Sequence, residues 1–323
     1  MPRIGYHASH EQFPPRALLA YVQRAERAGF QSAMCSDHFH PWTDAQGESG
    51  FAWSWLGAAL QATSLPFGVV TTPGGWRYHP AVLAQAAATL ASMFPGRFWM
   101  AAGSGEDLNE HIVGGRWPSK AERNARLREA VDVMRALWAG ETVTHHGLLE
   151  VDEARLYTLP PRPPLVVGAA LSPETARWAG AWADGLITVA GERDSMRAIL
   201  DAFREGGGEG KPVFLQAQLS FGGSDEEALE AAWEQWRSVI LPSPVLATLR
   251  MPCDFAAAGA SVSRDEVLRK IRVSADPERH LAWLLEDAEM GYAEINLHNV
   301  NRADQERFID VFGERVLPAL AGR

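Results

Sequence analysis

The sequence is poor in cysteine and contains no long hydrophobic run. Among its 323 residues only Cys35 and Cys253 are cysteines, which is too few for a disulfide framework. No stretch of about 18 consecutive apolar residues occurs, and the N-terminal sequence MPRIGY lacks the apolar segment of a signal peptide. These absences predict a soluble, cytoplasmic protein with no membrane contact.

Basic residues are also relatively scarce. The chain has 30 Lys and Arg against 40 Asp and Glu, which gives a net charge of -10. This acidic balance argues against nucleic acid or an anionic membrane as the main partner. The apolar fraction of 46% is large enough for a substantial core. A small-molecule partner is therefore expected.

Short apolar segments alternate with helical segments along the chain, without a linker that would divide it. Eight strands are predicted, at 4–7, 32–36, 67–71, 97–102, 164–169, 185–189, 212–219 and 293–298. Helices are predicted at 15–28, 80–94, 120–138, 173–181 and 303–317. This alternation is typical of a parallel (β/α)8 TIM barrel. We predict a single domain over 1–323, with a hairpin insertion at about 140–163 and a mostly helical insertion at about 224–276.

Chemically useful residues cluster where the predicted strands end. The segment SDHFHPW at 36–42 places Asp37 and His38 close to Trp42, directly after a buried strand. Because the catalytic groups of such barrels follow the carboxyl ends of the strands, this segment is expected at the functional face. A titratable pair beside a Trp favours proton transfer next to a flat aromatic ligand.

Two further loops are candidates for binding an anion. The turn GSGE at 103–106 offers backbone N–H groups and the carboxyl group of Glu106. The sequence ALSPE at 170–174 predicts either a well-capped helix, with Ser172 as the cap, or a phosphate site at that helix terminus. Neither segment has the spacing of a Rossmann or Walker motif, which argues against nicotinamide and nucleoside triphosphates.

A metal-dependent barrel hydrolase is the rival interpretation. His7, His10, His38 and His40 all fall at the predicted rim, and such hydrolases gather histidine there. Their sites also need histidines after later strands and a final aspartate. Here the last strand ends in His298-Asn299, so no metal site is predicted.

Several motifs together resemble a known superfamily. They are SDHFHPW, FAWSWLGAA, WRYHPAVLAQAAATLASMFPGRFWMAAGSGEDLNE, ERNARLREAVDVMRALWAGETV and AWADGLI. The chain resembles the bacterial luciferase-like flavin and deazaflavin oxidoreductases, and most closely the branch that contains F420-dependent glucose-6-phosphate dehydrogenase. The opening GYHASHEQF resembles a subgroup of flavinoid oxidoreductases described as using an ordinary flavin. The resemblance implies FMN or coenzyme F420 as cofactor, and a homodimer is expected.

The resemblance also implies roles for individual residues. Asp37 would contact the flavin or deazaflavin ring, and His38 would take the proton from a substrate hydroxyl group. Trp42 would shield the reacting face, and Glu106 would be the partner acid. A non-prolyl cis peptide is expected between Val70 and Thr71. The segments that would hold the cofactor's phosphate and tail contain Ser104, Gly105, Ala169, Ala170, Leu171 and Ser172.

The expected substrate is not glucose 6-phosphate. The branch binds the phosphate group with basic residues, whereas one matching position here is the acidic Glu192. Of the other two, one lies in the loosely aligned insertion near Arg250 and one corresponds to Lys270. Apolar walls from Trp53, Trp55, Trp76 and Tyr78 would instead suit an alcohol, an aldehyde or a quinone-like compound.

The sequence leaves three choices open. It does not separate FMN from F420, or a dehydrogenase from a monooxygenase, because both ring systems are planar tricycles. A non-catalytic flavin-binding paralogue is the alternative from another class, and the metal-dependent hydrolase is the more remote one. The presence of both His38 and Glu106 favours the enzyme.

Overall fold

The strands follow the predicted pattern. A computed structural model describes residues 1–322. Its strands are β1 Arg3–Ala8, β2 Ser32–Ser36, β3 Phe67–Thr71, β4 Phe98–Ala102, β5 Val143–His146, β6 Glu150–Ala154, β7 Leu165–Ala169, β8 Gly185–Val189, β9 Val213–Ser220, β10 Arg272–Val273 and β11 Glu294–Asn299. Each of the eight predicted strands agrees with an observed strand to within one residue at either end.

Eight of these strands close into a barrel. Parallel pairing runs through β1, β2, β3, β4, β7, β8, β9 and β11, and β11 pairs with β1 again. Helices flank the outside, so the predicted TIM-barrel fold is confirmed. The functional face is therefore the end at which all eight strands finish.

Alternating residues of each strand face opposite sides of the barrel wall. In β1, Ile4 and Tyr6 belong to the outer core between strands and helices. The interior is filled by a separate apolar cluster in which Trp99 lies 4.5 Å from Phe214, measured between ring centroids. Gly68 is needed beside it, because a Cβ atom there would lie 2.1 Å from the Trp99 ring. The barrel is a packed core below its mouth.

The helices surround this barrel. They are α1 Pro15–Arg27, α2 Ala52–Ala62, α3 Pro80–Met93, α4 Asp107–Glu110, α5 Lys120–Trp138, α6 Pro173–Gly180, α7 Arg193–Phe203, α8 Asp225–Trp236, α9 Ser243–Leu246, α10 Pro252–Ala258, α11 Arg264–Leu268, α12 Pro277–Ala288, α13 Gln305–Val311 and α14 Leu317–Ala321. Within residues 1–322, none of them is both long and apolar enough to cross a bilayer. The limits of α2, α7 and α12 were not predicted. In α2 the reason is that its exposed face carries Ala58 and Ala62 beside Ser54 and Gln61, so the sequence shows no clear polar stripe.

Both predicted insertions have the expected secondary structure. The first contains the antiparallel hairpin of β5 and β6, and the second contains α8 to α11 followed by the two-residue β10. The second insertion reaches the barrel mouth, because the Asp107 N–H and the Trp117 indole N–H both donate to the Ala247 carbonyl oxygen, at 3.2 and 2.8 Å. The assignment of the whole chain to one domain stays a prediction.

Candidate active site

The barrel is open at the carboxyl ends of its strands. Ser36, Val70, Ala169, Val189 and Gln216 occupy the upper inward-facing positions, and all of them are partly exposed. The inward-facing residues one layer below are buried, among them Met34, Trp99, Val167, Ile187 and Phe214. The apolar layer thus closes the barrel below the partly exposed residues at the face predicted to carry the chemistry.

Asp37 is a fully enclosed anchor at the edge of this pocket. Its carboxylate accepts hydrogen bonds from the Thr71 hydroxyl at 2.9 Å, the Tyr78 hydroxyl at 2.9 Å and the Trp53 indole N–H at 3.3 Å. None of the side chain is exposed. Asp37 therefore ties the end of β2 to the loop after β3. Its predicted contact with a cofactor ring stays a prediction.

A buried cation completes this anchor. The Arg77 guanidinium donates to the Asp37 carbonyl oxygen at 2.8 Å and to the Glu110 carboxylate at 3.0 Å, and it lies 3.6 Å from the Asp37 carboxylate. The Arg77 side chain is 6% exposed and that of Glu110 is fully buried. We call Asp37, Arg77 and Glu110 the buried ion cluster. No role was predicted for Arg77 and Glu110. The only signal for them in the sequence is that each follows the end of a strand.

His38 lies at the pocket with its ring held between two neighbours. Its Nδ1 atom is 3.5 Å from the Glu11 carboxylate, and its ring meets the Trp42 ring edge-on at 4.9 Å between centroids. Burial, and then the Arg77 charge, lower the pKa of His38 to about 4, although Asp37 opposes the shift. The imidazole is neutral at pH 7. Nδ1 is buried and makes no hydrogen bond, and the Glu11 carboxylate is the acceptor group that lies near it. A proton on Nδ1, facing this carboxylate, leaves the Nε2 lone pair as a base.

Glu11 is a residue that the sequence analysis missed. It is 1% exposed and accepts a hydrogen bond from the Ser9 hydroxyl at 2.9 Å. Burial raises its pKa, and the hydrogen bond from Ser9 opposes the shift. A buried carboxyl group directly behind a histidine orients the ring and stabilises its protonated form. The only sequence signal was its place in the loop after the first strand.

Glu106 has the properties of an acid. It lies at the start of α4, and burial, followed by the Glu11 and Glu110 carboxylates, raises its pKa to about 8. Between about pH 4 and pH 8, His38 is therefore unprotonated while Glu106 is protonated. A base and an acid with separated pKa values are what hydride and proton transfer at neutral pH require.

Trp42 forms an apolar wall that the second insertion supports. Its ring packs edge-on against Phe255 of α10, at 5.3 Å between centroids. Of the four other aromatic residues expected as walls, Trp53 and Trp55 are buried in the core, whereas for the partly exposed Trp76 and Tyr78 this role stays a prediction. Trp53 and Tyr78 bind Asp37, the Trp55 indole donates to the Pro15 carbonyl oxygen, and the Trp76 ring lies tilted against the Trp117 ring. Most of their polar groups form hydrogen bonds within the protein, and the sequence alone does not show this.

The segments predicted to hold the cofactor lie around the strand ends as expected. The Ser104 hydroxyl accepts a hydrogen bond from the Lys120 ammonium group at 2.6 Å. Gly105 has φ +80°, and a Cβ atom there would lie 2.8 Å from Thr72. Ala169 faces the open mouth, Ala170 is buried and Leu171 is exposed, while Ser172 caps α6 by accepting from the Thr175 N–H. Lys120 is a further cation that the sequence analysis did not identify.

These residues suit a flat anionic cofactor. A cation beside a hydroxyl group and a glycine turn are suitable for a phosphate group. Val70 and Ala169 are small partly exposed apolar side chains at the mouth, and they leave room above them for a planar ring. The assignment of individual residues to the cofactor stays a prediction.

One expectation about the backbone is wrong. No cis peptide bond occurs within residues 1–322, so the bond between Val70 and Thr71 is trans. Both residues continue β3 in register with Ala101 and Ala102 of β4. The Thr71 carbonyl oxygen also accepts from the Gly103 N–H at 2.9 Å. An extended trans backbone makes these ladder contacts, and a cis bond would be less favourable by roughly 3 kcal/mol.

The histidines at the mouth do not form a metal-binding arrangement. Within residues 1–322, no group of three or more His, Cys, Asp and Glu side chains is placed to bind a metal ion. His7 lies tilted against His298, His10 packs edge-on against Trp55, and His40 stacks on His111.

Comparison with known proteins agrees with this geometry. Residues 1–294 match the family model of the luciferase-like monooxygenases. The chain is 36% identical to the F420-dependent glucose-6-phosphate dehydrogenase of Beutenbergia cavernae, over 100% of this chain and 98% of that protein. It is also 36% identical to the enzyme of that name from Kribbella flavida, over 98% of each chain.

Solved structures show the same likeness. An F420-dependent secondary alcohol dehydrogenase in complex with an F420-acetone adduct is 33% identical, with a TM-score of 0.89 over 99% of each chain. The coenzyme F420 dependent tetrahydromethanopterin reductase of Methanopyrus kandleri is 20% identical, with a TM-score of 0.78 over 98% of this chain and 99% of that chain. The second likeness concerns the fold alone.

Proposed function

Since this chain belongs to the luciferase-like monooxygenase family of flavin- and F420-dependent oxidoreductases, we propose that it is an F420-dependent dehydrogenase of a small neutral alcohol. The observation that carries the proposal is the neutral His38 between Glu11 and Trp42, together with the protonated Glu106. A base and an acid in opposite protonation states match a reversible alcohol–carbonyl conversion. F420 is preferred over FMN because the most similar relatives described above carry F420 in their names.

Each residue of the site has its own role in the proposed reaction. When bound, F420 supplies a two-electron hydride acceptor. Asp37, Val70, Thr71, Ser104 and Gly105, with the segment 169–172, would hold it at the mouth. His38 takes the hydroxyl proton on Nε2, and Glu11 stabilises the imidazolium that results. Trp42 excludes water from one side. Glu106, which is protonated at neutral pH, would provide the proton that balances the negative charge gained with the hydride.

The cofactor assignment is tested by titration. We expect the purified protein to bind F420 more tightly than FMN, followed by the change in absorbance or fluorescence of each cofactor. The variant Val70→Trp fills the partly exposed mouth and should weaken that binding at least tenfold, because it occupies the space assigned to the ring.

The exposed substitution Val82→Trp on α3 is the matched control and should bind as the wild type does. Unchanged cofactor affinity in Val70→Trp would place the cofactor elsewhere. Binding without any turnover of alcohols would favour the non-catalytic paralogue instead.

The substrate assignment is tested with a phosphorylated and a neutral substrate. We expect kcat/KM for a neutral secondary alcohol such as 2-propanol to exceed that for glucose 6-phosphate at least 100-fold. The physical reason is the carboxylate of Glu192 after β8, where a phosphate-binding enzyme needs a cation. Saturable oxidation of glucose 6-phosphate at micromolar KM contradicts this assignment, and it is the activity named for the 36%-identical relatives.

The predicted homodimer and cytoplasmic location stay predictions.

A further inference from the structure

Half of the barrel mouth has a polar floor that the proposed chemistry does not use. The predicted cofactor segments follow β2, β3, β4 and β7. The opposite half is lined by β9, β11 and β1, where the inward-facing positions are His7, Gln216, Gln218 and His298. Gln216 and Gln218 are partly exposed, so the opening extends over them. This half of the mouth is the place left for a substrate beside His38.

His298 is fixed, and its hydrogen bonds define its tautomer. The Gln12 amide N–H groups donate to the Val300 carbonyl oxygen at 2.9 Å and to the Gln235 side chain at 3.1 Å. The remaining Gln12 oxygen must therefore accept from His298 Nε2, at 3.0 Å. His298 Nδ1 then accepts from the Gln216 amide at 3.4 Å. Both ring nitrogens of His298 are satisfied within the protein.

His7 differs from its neighbour in this respect. Its ring lies tilted against the His298 ring, at 4.3 Å between centroids, and it is 2% exposed. Its Nδ1 atom is buried without a hydrogen-bond partner. Burial, followed by His298, His10 and His38, lowers the pKa of His7 well below its ordinary value, so the ring is neutral. A neutral imidazole can donate or accept a hydrogen bond, and a buried polar atom left unpaired indicates a missing partner.

We propose that His7 and Gln218 bind a second oxygen atom of the substrate, so that the preferred substrate is a small neutral secondary alcohol with a hydroxyl group on the adjacent carbon. The substrate class rests on the proposed function, because His38 is then reserved for the reacting hydroxyl group. The second oxygen supplies the hydrogen-bond partner that His7 lacks. The partly exposed Trp42 ring, which packs on the buried Phe255, accepts the carbon skeleton.

The test compares two pairs of compounds that differ by one hydroxyl group. Binding of acetone and hydroxyacetone to the protein with oxidised F420 is measured by saturation-transfer NMR, and turnover is measured with 2-propanol and 1,2-propanediol. We expect the wild type to favour the hydroxylated member of each pair at least tenfold. In His7→Phe, which keeps an aromatic ring against His298, the preference should fall to threefold or less. The affinity for acetone should stay within about threefold.

His146→Phe is the matched control, because that exposed histidine lies in the hairpin and pairs with Glu150, and the preference of this variant should equal that of the wild type. Gln218→Leu, at a partly exposed position, provides a second variant if His7→Phe does not fold, and it should reduce the preference at least threefold. A wild type without a preference, or a preference that survives both substitutions, overturns the inference. If the binding preference is present but no alcohol is oxidised, the proposed function fails while the assignment of His7 and Gln218 stands.

Discussion

Replacing His38 with alanine is expected to lower kcat by about 10²–10⁴-fold, the usual contribution of a general base. The imidazole is neutral at pH 7 because its pKa is lowered to about 4, and its Nδ1 atom lies 3.5 Å from the Glu11 carboxylate. Because His38 is assigned to the substrate proton, the affinity for F420 should change by only a few-fold. The measurement is steady-state kinetics on the alcohol substrate, with a separate cofactor titration.

The pH dependence of the rate distinguishes a base from a structural residue. In the wild type, kcat/KM should rise with pH through about 4 as His38 loses its proton, and it should fall through about 8 as Glu106 loses its proton. His38→Ala should lose the acidic limb, and added imidazole should restore part of the rate. His111→Ala removes a histidine that stacks on His40 and has no assigned role, so it serves as the control. Wild-type kcat in His38→Ala would make His38 structural.

The barrel could be predicted because its signal is local and repeated. Each strand is a short apolar run, and each run ends near polar or glycine-containing loops. The strand limits therefore follow from the sequence to within a residue. The helix α2 was missed because two of the residues on its exposed face are alanine, which weakens the polar stripe in the sequence. The predicted cis bond at Val70 came from the resemblance alone, and the ladder contacts of β3 with β4 favour a trans bond.

The candidate site was predictable only in part. His38, Asp37 and Trp42 lie within one short motif, so the sequence itself indicates that they act together. Glu11 and Arg77 act on that motif from other loops, and only closure of the barrel brings them within 4 Å of it. Whether a tryptophan forms a wall or a hydrogen bond depends on the partner of its N–H group, as Trp53 and Asp37 show. These are contacts between distant segments, and no local pattern contains them.

Removing the cation of the buried ion cluster is expected to produce the largest loss of stability. Arg77→Met leaves two buried carboxylates, Asp37 and Glu110, without their common partner. Leaving buried charge uncompensated typically reduces the free energy of unfolding by about 3–5 kcal/mol. We expect the melting temperature to fall on the order of 5–10 °C, measured by calorimetry or circular dichroism. Arg128→Met breaks only the exposed pair with Asp132 and should reduce the free energy of unfolding by about 1 kcal/mol or less.

A second substitution distinguishes two causes of the stability loss, which are uncompensated charge and lost packing. In Arg77→Met/Glu110→Gln one of the stranded carboxylates is neutral, so the double variant should recover a large part of the loss. Burial already raises the pKa of Glu110, while Arg77 opposes that shift, so removing Arg77 raises the pKa further. A carboxyl group with a raised pKa binds protons more tightly in the folded state. The stability of Arg77→Met should therefore fall as pH increases above the ordinary carboxyl range of about 4–5. Equal stability losses in the single and double variants at every pH would show that Arg77 acts through packing, and that Asp37 needs no cation to anchor the mouth.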